Sequence, residues 1–131
     1  MEFKKEEWRE LKKHANDRGL IFFCSVFSKK SIDIIDEINV PVWKIGSGEI
    51  NNFELLERLS KTKKPILLST GMSGWKEIDK TTSFLKKKNV KYALFQCTSK
   101  YPAKYEDVGI NIISEMEEKY NVPVGLSDHT G

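Results

Sequence analysis

The sequence predicts an α/β fold built on parallel strands, and three observations carry that expectation. Five short β-rich apolar runs, Leu20 to Val26, Pro41 to Gly46, Pro65 to Ser69, Lys91 to Cys97 and Val122 to Ser127, start roughly 20 to 30 residues apart. Segments with helical spacing separate them, so helices and strands alternate along the chain. Several of the runs are continuously apolar rather than alternating, the pattern of parallel strands covered on both faces.

Each intervening segment reads as an amphipathic helix. Trp8, Leu11 and Ala15 share a face before Gly19, which is placed to stop a helix. Ile32, Ile35 and Ile38 make a second stripe. Phe53, Leu56 and Leu59 make a third, opened by Asn51 with Glu54 three residues later as a cap pair. Trp75, Ile78 and Leu85 form a fourth, starting after Ser73-Gly74 and ending in Lys86-Lys87-Lys88. Gly109, Ile113, Met116 and Tyr120 form the fifth. No linker, low-complexity tract or break in composition interrupts this order, so a single domain is expected. It fits either a five-stranded doubly wound sheet or five consecutive strands of a larger barrel, and periodicity does not separate the two.

The 131 residues suffice for a domain with a core but fall short of the roughly 200 to 250 of a complete (β/α)8 barrel. Hydrophobic residues at 39% and charged residues at 31% describe a globular chain rather than a disordered one. The net charge of +3 is spread along the sequence, which argues against nucleic acid as a partner. No apolar run approaches a membrane span and the start does not read as a signal peptide, so a cytoplasmic protein without a membrane partner is expected. Cys24 and Cys97 lie in apolar runs and are read first as buried reduced thiols, with a disulfide or a nucleophile as the alternatives.

Polar residues gather at one end of every run. The carboxyl ends read Cys24-Ser25-Val26-Phe27-Ser28, Lys44-Ile45-Gly46-Ser47-Gly48-Glu49, Leu68-Ser69-Thr70-Gly71-Met72, Gln96-Cys97-Thr98-Ser99-Lys100-Tyr101-Pro102 and Gly125-Leu126-Ser127-Asp128-His129-Thr130-Gly131. Parallel α/β folds bind ligands at the carboxyl ends of their strands, so this asymmetry marks a site. Lys44 is either a cation aimed at a phosphate or carboxylate, or a side chain snorkelling to water. Ser47, Ser69, Thr98, Ser99 and Ser127 are caps or turn residues taken singly; together they suggest hydroxyls around an oxyanion, with Gly46, Gly48 and Gly71 allowing close backbone approach. Glu49 is a first-turn carboxylate or a substrate contact. His14 reads as a surface residue, whereas His129 beside Asp128 could ligate a metal only with further ligands from elsewhere. Gly-x-Gly-x-x-Gly, Gly-x-x-x-x-Gly-Lys-Ser/Thr, His-Glu-x-x-His and Cys-x-x-Cys are all absent, and Gly46-Ser47-Gly48 lacks the spacing of a nucleophile elbow.

The motifs Lys44-Ile45-Gly46-Ser47-Gly48-Glu49-Ile50-Asn51-Asn52, Leu68 to Met72, Gln96 to Pro102 and Gly125 to Thr130 resemble, in order and spacing, those of the N-acetylneuraminate (sialic acid) synthase family. The resemblance implies a central piece of a TIM (β/α)8 barrel, with the opening strands, the last strands and a small C-terminal antifreeze-like domain lying outside these residues. It implies a transferase that condenses phosphoenolpyruvate with an N-acetylhexosamine such as N-acetylmannosamine, using Mn2+ or Mg2+ and releasing phosphate. By motif match, Ser25, Lys44, Ser47, Ser69, Ser99 and Ser127 would hold phosphoenolpyruvate, Glu49 and Tyr101 would contact the sugar, and His129 would supply one metal ligand. The full-length parent is expected to be a homodimer.

Two departures accompany the match. Cys24-Ser25-Val26-Phe27-Ser28 stands where the family usually has Ser-Thr-Pro-Phe-Asp, and Ser99 stands where Asn is frequent. The family's general-base Glu, another phosphoenolpyruvate-binding Lys and the second metal-binding His match nothing in this sequence. The 131 residues alone are therefore expected to be inactive and prone to self-association. The other function to weigh is a small α/β module that binds an anion without synthase activity.

Overall fold

The computed structural model describes residues 3–131. Two helices, α1 (Lys5–Asp17) and α2 (Lys29–Glu37), come first; β1 (Trp43–Ile45), β2 (Ile66–Ser69), β3 (Tyr92–Cys97) and β4 (Val124–Ser127) then alternate with α3 (Phe53–Ser60), α4 (Trp75–Lys87) and α5 (Asn111–Tyr120). The strands form one sheet in the order β1-β2-β3-β4, and every pair is parallel. None of the helices is long and apolar enough to cross a membrane among the described residues.

The sequential order separates the two architectures left open by periodicity. A doubly wound sheet reverses its direction of winding, whereas right-handed crossovers that always step the same way leave every helix on one face. That is the arrangement found. Trp43, Ile45, Ile66, Leu68, Tyr92 and Leu94 point into a single core with Ile32 and Ile35 of α2, Leu55, Leu56 and Leu59 of α3, Ile78 and Leu85 of α4, and Met116 and Tyr120 of α5. The sheet is thus a segment of barrel wall with its helices outside.

Because strand side chains alternate, the opposite, concave face carries Lys44, Leu67, Ser69, Ala93, Phe95, Cys97, Gly125 and Ser127. Leu67, Ala93 and Phe95 are only half-buried there, so the described residues cover one face of the sheet rather than both.

The first apolar run differs from expectation. Leu20 to Val26 touches β1 only through a parallel bridge between Ser25 and Lys44, with Val26 N donating to Lys44 O at 3.4 Å. Phe22, Cys24 and Val26 turn toward the helices, while Leu20, Ile21 and Phe23 are exposed. The segment is extended along the edge of the sheet without forming a ladder. Its hydrophobic character reflects packing against the helix layer: Trp8 of α1 meets Phe22 at 6.4 Å between ring centroids.

Three local details also shift. Asn52, not Asn51, caps α3: its Oδ1 accepts from Leu55 N at 3.1 Å. Gly109 lies in a left-handed turn (φ 67°) before α5 and not within it. On α1 no residue is fully buried, and Leu11 is exposed although it lies on the expected stripe. Gly19 (φ 71°) does end α1, and α4 does start after Gly74.

The one-sided core predicts unequal costs for neighbouring leucines of β2. Leu68→Ala, on the helix side at 0% exposure, should lower unfolding stability by about 2–5 kcal/mol in urea titrations. Leu67→Ala on the concave face should cost less than half as much.

Candidate active site at the carboxyl ends of the strands

Burying Trp43 and Ile45 turns Lys44 onto the concave face. The residue is half-buried, and its ammonium turns back onto the sheet. Nζ donates to Ser69 Oγ on β2 and to Ile45 O at 3.1 Å, and it lies 5.6 Å from the centroid of the Phe95 ring on β3. Burial pushes the Lys44 pKa below its ordinary value, and the nearby Cys97 sulfur opposes that shift. Two of three ammonium donors are used, and no carboxylate pairs with Lys44 among the described residues. A half-buried cation with a spare donor and no counter-ion has the chemistry to accept an anion.

The register extends this arrangement across the sheet. Ser69 on β2 lies opposite Phe95, and Phe95 lies opposite Gly125 on β4. A Cβ on Gly125 would stand 3.0 Å from the Phe95 ring, so the absent side chain makes room for the aromatic floor beneath Lys44. One step toward the carboxyl ends, Cys97 pairs with Ser127. Both cysteines are free thiols; Cys97 is buried and Cys24 half-buried.

The loops bring up more hydroxyls. Ser47 starts a 3-10 turn after β1, and its Oγ accepts from Gly71 N at 3.1 Å in the loop after β2. A Cβ on Gly71 would stand 2.6 Å from Cys97 O and 2.7 Å from Ser99 Oγ, so three successive loops meet at this glycine. Ser25 bridges to Lys44 at the sheet edge. Thr98 takes the other reading left open for it: Oγ1 donates to Asp107 O at 2.8 Å and fastens its own loop.

Ser127 Oγ lies 3.2 Å from His129 Nε2, and the Tyr101 and His129 rings are 4.4 Å apart. Ala103 N donates to His129 O at 2.8 Å, tying the β3 loop to the β4 loop. Asp128, although adjacent in sequence, does not support His129. Its carboxylate accepts from Thr130 N and Oγ1, an Asx-type turn that satisfies it locally, and Ser127 takes the place beside the imidazole. Glu49 Oε2 accepts from Asn52 Nδ2 at 2.8 Å. His14 is exposed on α1, as read.

The expected residues thus fall into three groups along one rim: Ser25, Lys44 and Ser69; Ser47 and Ser99 around Gly71; and Ser127, His129 and Tyr101. Glu49 stands apart from them, held by Asn52. Phe95, Cys97 and Gly125 were not singled out as site residues, although they share the strand parity of Lys44 and Ser69. No group of three or more His, Cys, Asp or Glu side chains that could hold a metal ion occurs among the described residues. Around the His129 imidazole the described residues do not complete a coordination set.

The NeuB family pattern matches residues 1–131. The N-acetylneuraminate-9-phosphate synthase of Homo sapiens is 35% identical over 130 residues, covering 98% of this chain and 36% of the human protein. The N,N'-diacetyllegionaminic acid synthase of Campylobacter jejuni subsp. jejuni is 34% identical over 125 residues, covering 93% of this chain and 37% of that enzyme. The crystal structure of N-acetylneuraminic acid (sialic acid) synthetase from Leptospira borgpetersenii serovar Hardjo-bovis, in complex with citrate, superposes with a TM-score of 0.95 at 33% identity, covering 98% of this chain and 45% of that one. The chain spans less than half the length of each of these relatives.

The two glycines give a graded test of how tightly this rim is packed. Gly71→Ala sets a methyl group against backbone and should cost about 1–3 kcal/mol in urea unfolding. Gly125→Ala meets only the edge of a ring that can tilt, and should cost less.

Proposed function

The chain belongs to the NeuB family, and from that premise we propose that it forms the anion-holding part of a nonulosonate (sialic acid-type) synthase. The observation that carries this reading is the Lys44 ammonium, half-buried on the concave face beside Ser69 and without a carboxylate partner among the described residues. Phosphoenolpyruvate presents a phosphate and a carboxylate, and a cation ringed by hydroxyl and N–H donors suits both.

In the proposed reaction, C3 of phosphoenolpyruvate forms a bond to the aldehyde carbon of an open-chain N-acetylhexosamine such as N-acetylmannosamine. The aldehyde oxygen takes up a proton, water adds at C2, and the tetrahedral carbon expels phosphate to leave a 2-keto acid. Lys44, with Ser25, Ser47, Ser69, Ser99 and Ser127, would hold the phosphate and carboxylate and offset charge developing on oxygen. Glu49 and Tyr101 would orient the sugar. A divalent cation, Mn2+ or Mg2+, would polarise the aldehyde; His129 would supply one ligand for it, with the others from outside these residues. Positioning two substrates is the larger part of such catalysis.

We further propose that the complete enzyme is a cytoplasmic homodimer acting on small molecules, with neither nucleic acid nor membrane as a partner. In this reading the general base and the second metal ligand would come from outside these residues, and the 131 residues alone would not turn phosphoenolpyruvate over.

The test uses a protein in which these residues are joined to the remaining barrel strands. Phosphate release should require phosphoenolpyruvate, an N-acetylhexosamine and a divalent cation together. His129→Ala should abolish it; an unchanged metal-dependent rate in that variant would remove His129 from the site. Lys44→Ala should raise the KM for phosphoenolpyruvate about tenfold or more. Phosphate binding with no release under any condition would favour a binding module instead.

The same lysine sets a pH dependence. Its folded pKa is lowered by burial, so the ammonium is lost as pH rises through that lowered value. Affinity for phosphoenolpyruvate should therefore weaken toward alkaline pH in binding titrations, and this limb should vanish in Lys44→Ala.

A further inference from the structure

We propose that Asn52 is a positioning residue for Glu49: one side-chain amide both caps α3 and fixes the Glu49 carboxylate. Asn52 Oδ1 accepts from Leu55 N at 3.1 Å, while Nδ2 donates to Glu49 Oε2 at 2.8 Å. The chemistry allows only this orientation of the amide. Flipped, it would set an NH2 group against a backbone N–H and an oxygen against a carboxylate. Because the amide is planar, the cap bond that fixes its oxygen also fixes the direction in which its hydrogens point.

The backbone around the pair is already restrained. Glu49 N donates to Gly46 O and Asn52 N to Glu49 O, each at 3.0 Å. Between them Ile50 is 2% exposed, and its carbonyl accepts from the buried Thr81 Oγ1 of α4 at 2.8 Å. Rotation of the Glu49 side chain is the freedom that remains, and the Asn52 bond removes much of it. Oε2 is thereby occupied, and Oε1 has no partner among the described residues. A sugar hydroxyl donating to Oε1 would meet a carboxylate already oriented, so less side-chain entropy is lost on binding.

The inference rests on the reading that Glu49 contacts the sugar acceptor, and a substitution separates its two halves. Asn52→Asp keeps an acceptor for the helix cap but replaces the donor with a second carboxylate facing Glu49. In the completed enzyme its KM for N-acetylmannosamine should rise about tenfold, with the KM for phosphoenolpyruvate and the thermal midpoint unchanged. Asn52→Ser, which also caps but cannot reach Glu49, should show the same direction and serves if the Asp variant does not fold. In the completed enzyme, the Asn52 side-chain NH2 resonances should move on Glu49→Ala while the Leu55 backbone amide does not. Unmoved NH2 resonances overturn the proposal. So does a Glu49→Ala variant that raises the acceptor KM when neither Asn52 variant does. If the NH2 resonances move but Glu49→Ala leaves the acceptor KM unchanged, the orientation stands and the sugar-contact reading falls.

Discussion

Side chains on a strand must alternate, and that constraint organises this molecule. Once Trp43 and Ile45 are committed to the core beneath α2 and α3, Lys44 has no choice of face. The same parity, carried through the parallel register, lines Ser69, Phe95 and Gly125 up beside it. Helices on one face of the sheet and a row of polar and aromatic side chains on the other are two outcomes of one packing decision.

The outer layer shows a contrasting use of charge. Arg58 pairs with Asp33 at 2.8 Å, Lys64 with Asp36 at 2.7 Å, Lys88 with Glu57 at 2.8 Å and Lys119 with Asp79 at 3.0 Å. Such pairs on a solvated surface contribute little stability each. In each of them the cation's charge is met by a carboxylate of the outer layer. Lys44 is different in kind: it is half-buried, it leans on a hydroxyl and an aromatic ring, and no carboxylate meets it among the described residues.

What could be read in the sequence was whatever depends on near neighbours. Gly19 and Gly74 bounded helices as expected, four of the five apolar runs became strands, and the polar residues at the strand ends do gather on one rim. What could not be read depends on register or on a choice between equivalent neighbours. Leu20 to Val26 has strand composition, but laddering requires a partner at the right height and it meets β1 only at Ser25. Asn51 and Asn52 are chemically identical candidates for one cap, and the 3-10 turn before them decided for the second. Asp128 adjoins His129 in sequence yet turns to Thr130, because a two-residue reach to a backbone N–H competes with any contact to the ring.

Phe95 and Gly125 stand 30 positions apart yet occupy one space, since the ring of the first lies where the side chain of the second would begin. What is constrained is their combined volume, not either residue alone. A smaller side chain at 95 would license a larger one at 125, and the reverse exchange would close the gap again. The two positions should therefore drift together through descent as a single inherited character, and the floor under Lys44 would be rebuilt each time from whichever strand supplies the bulk.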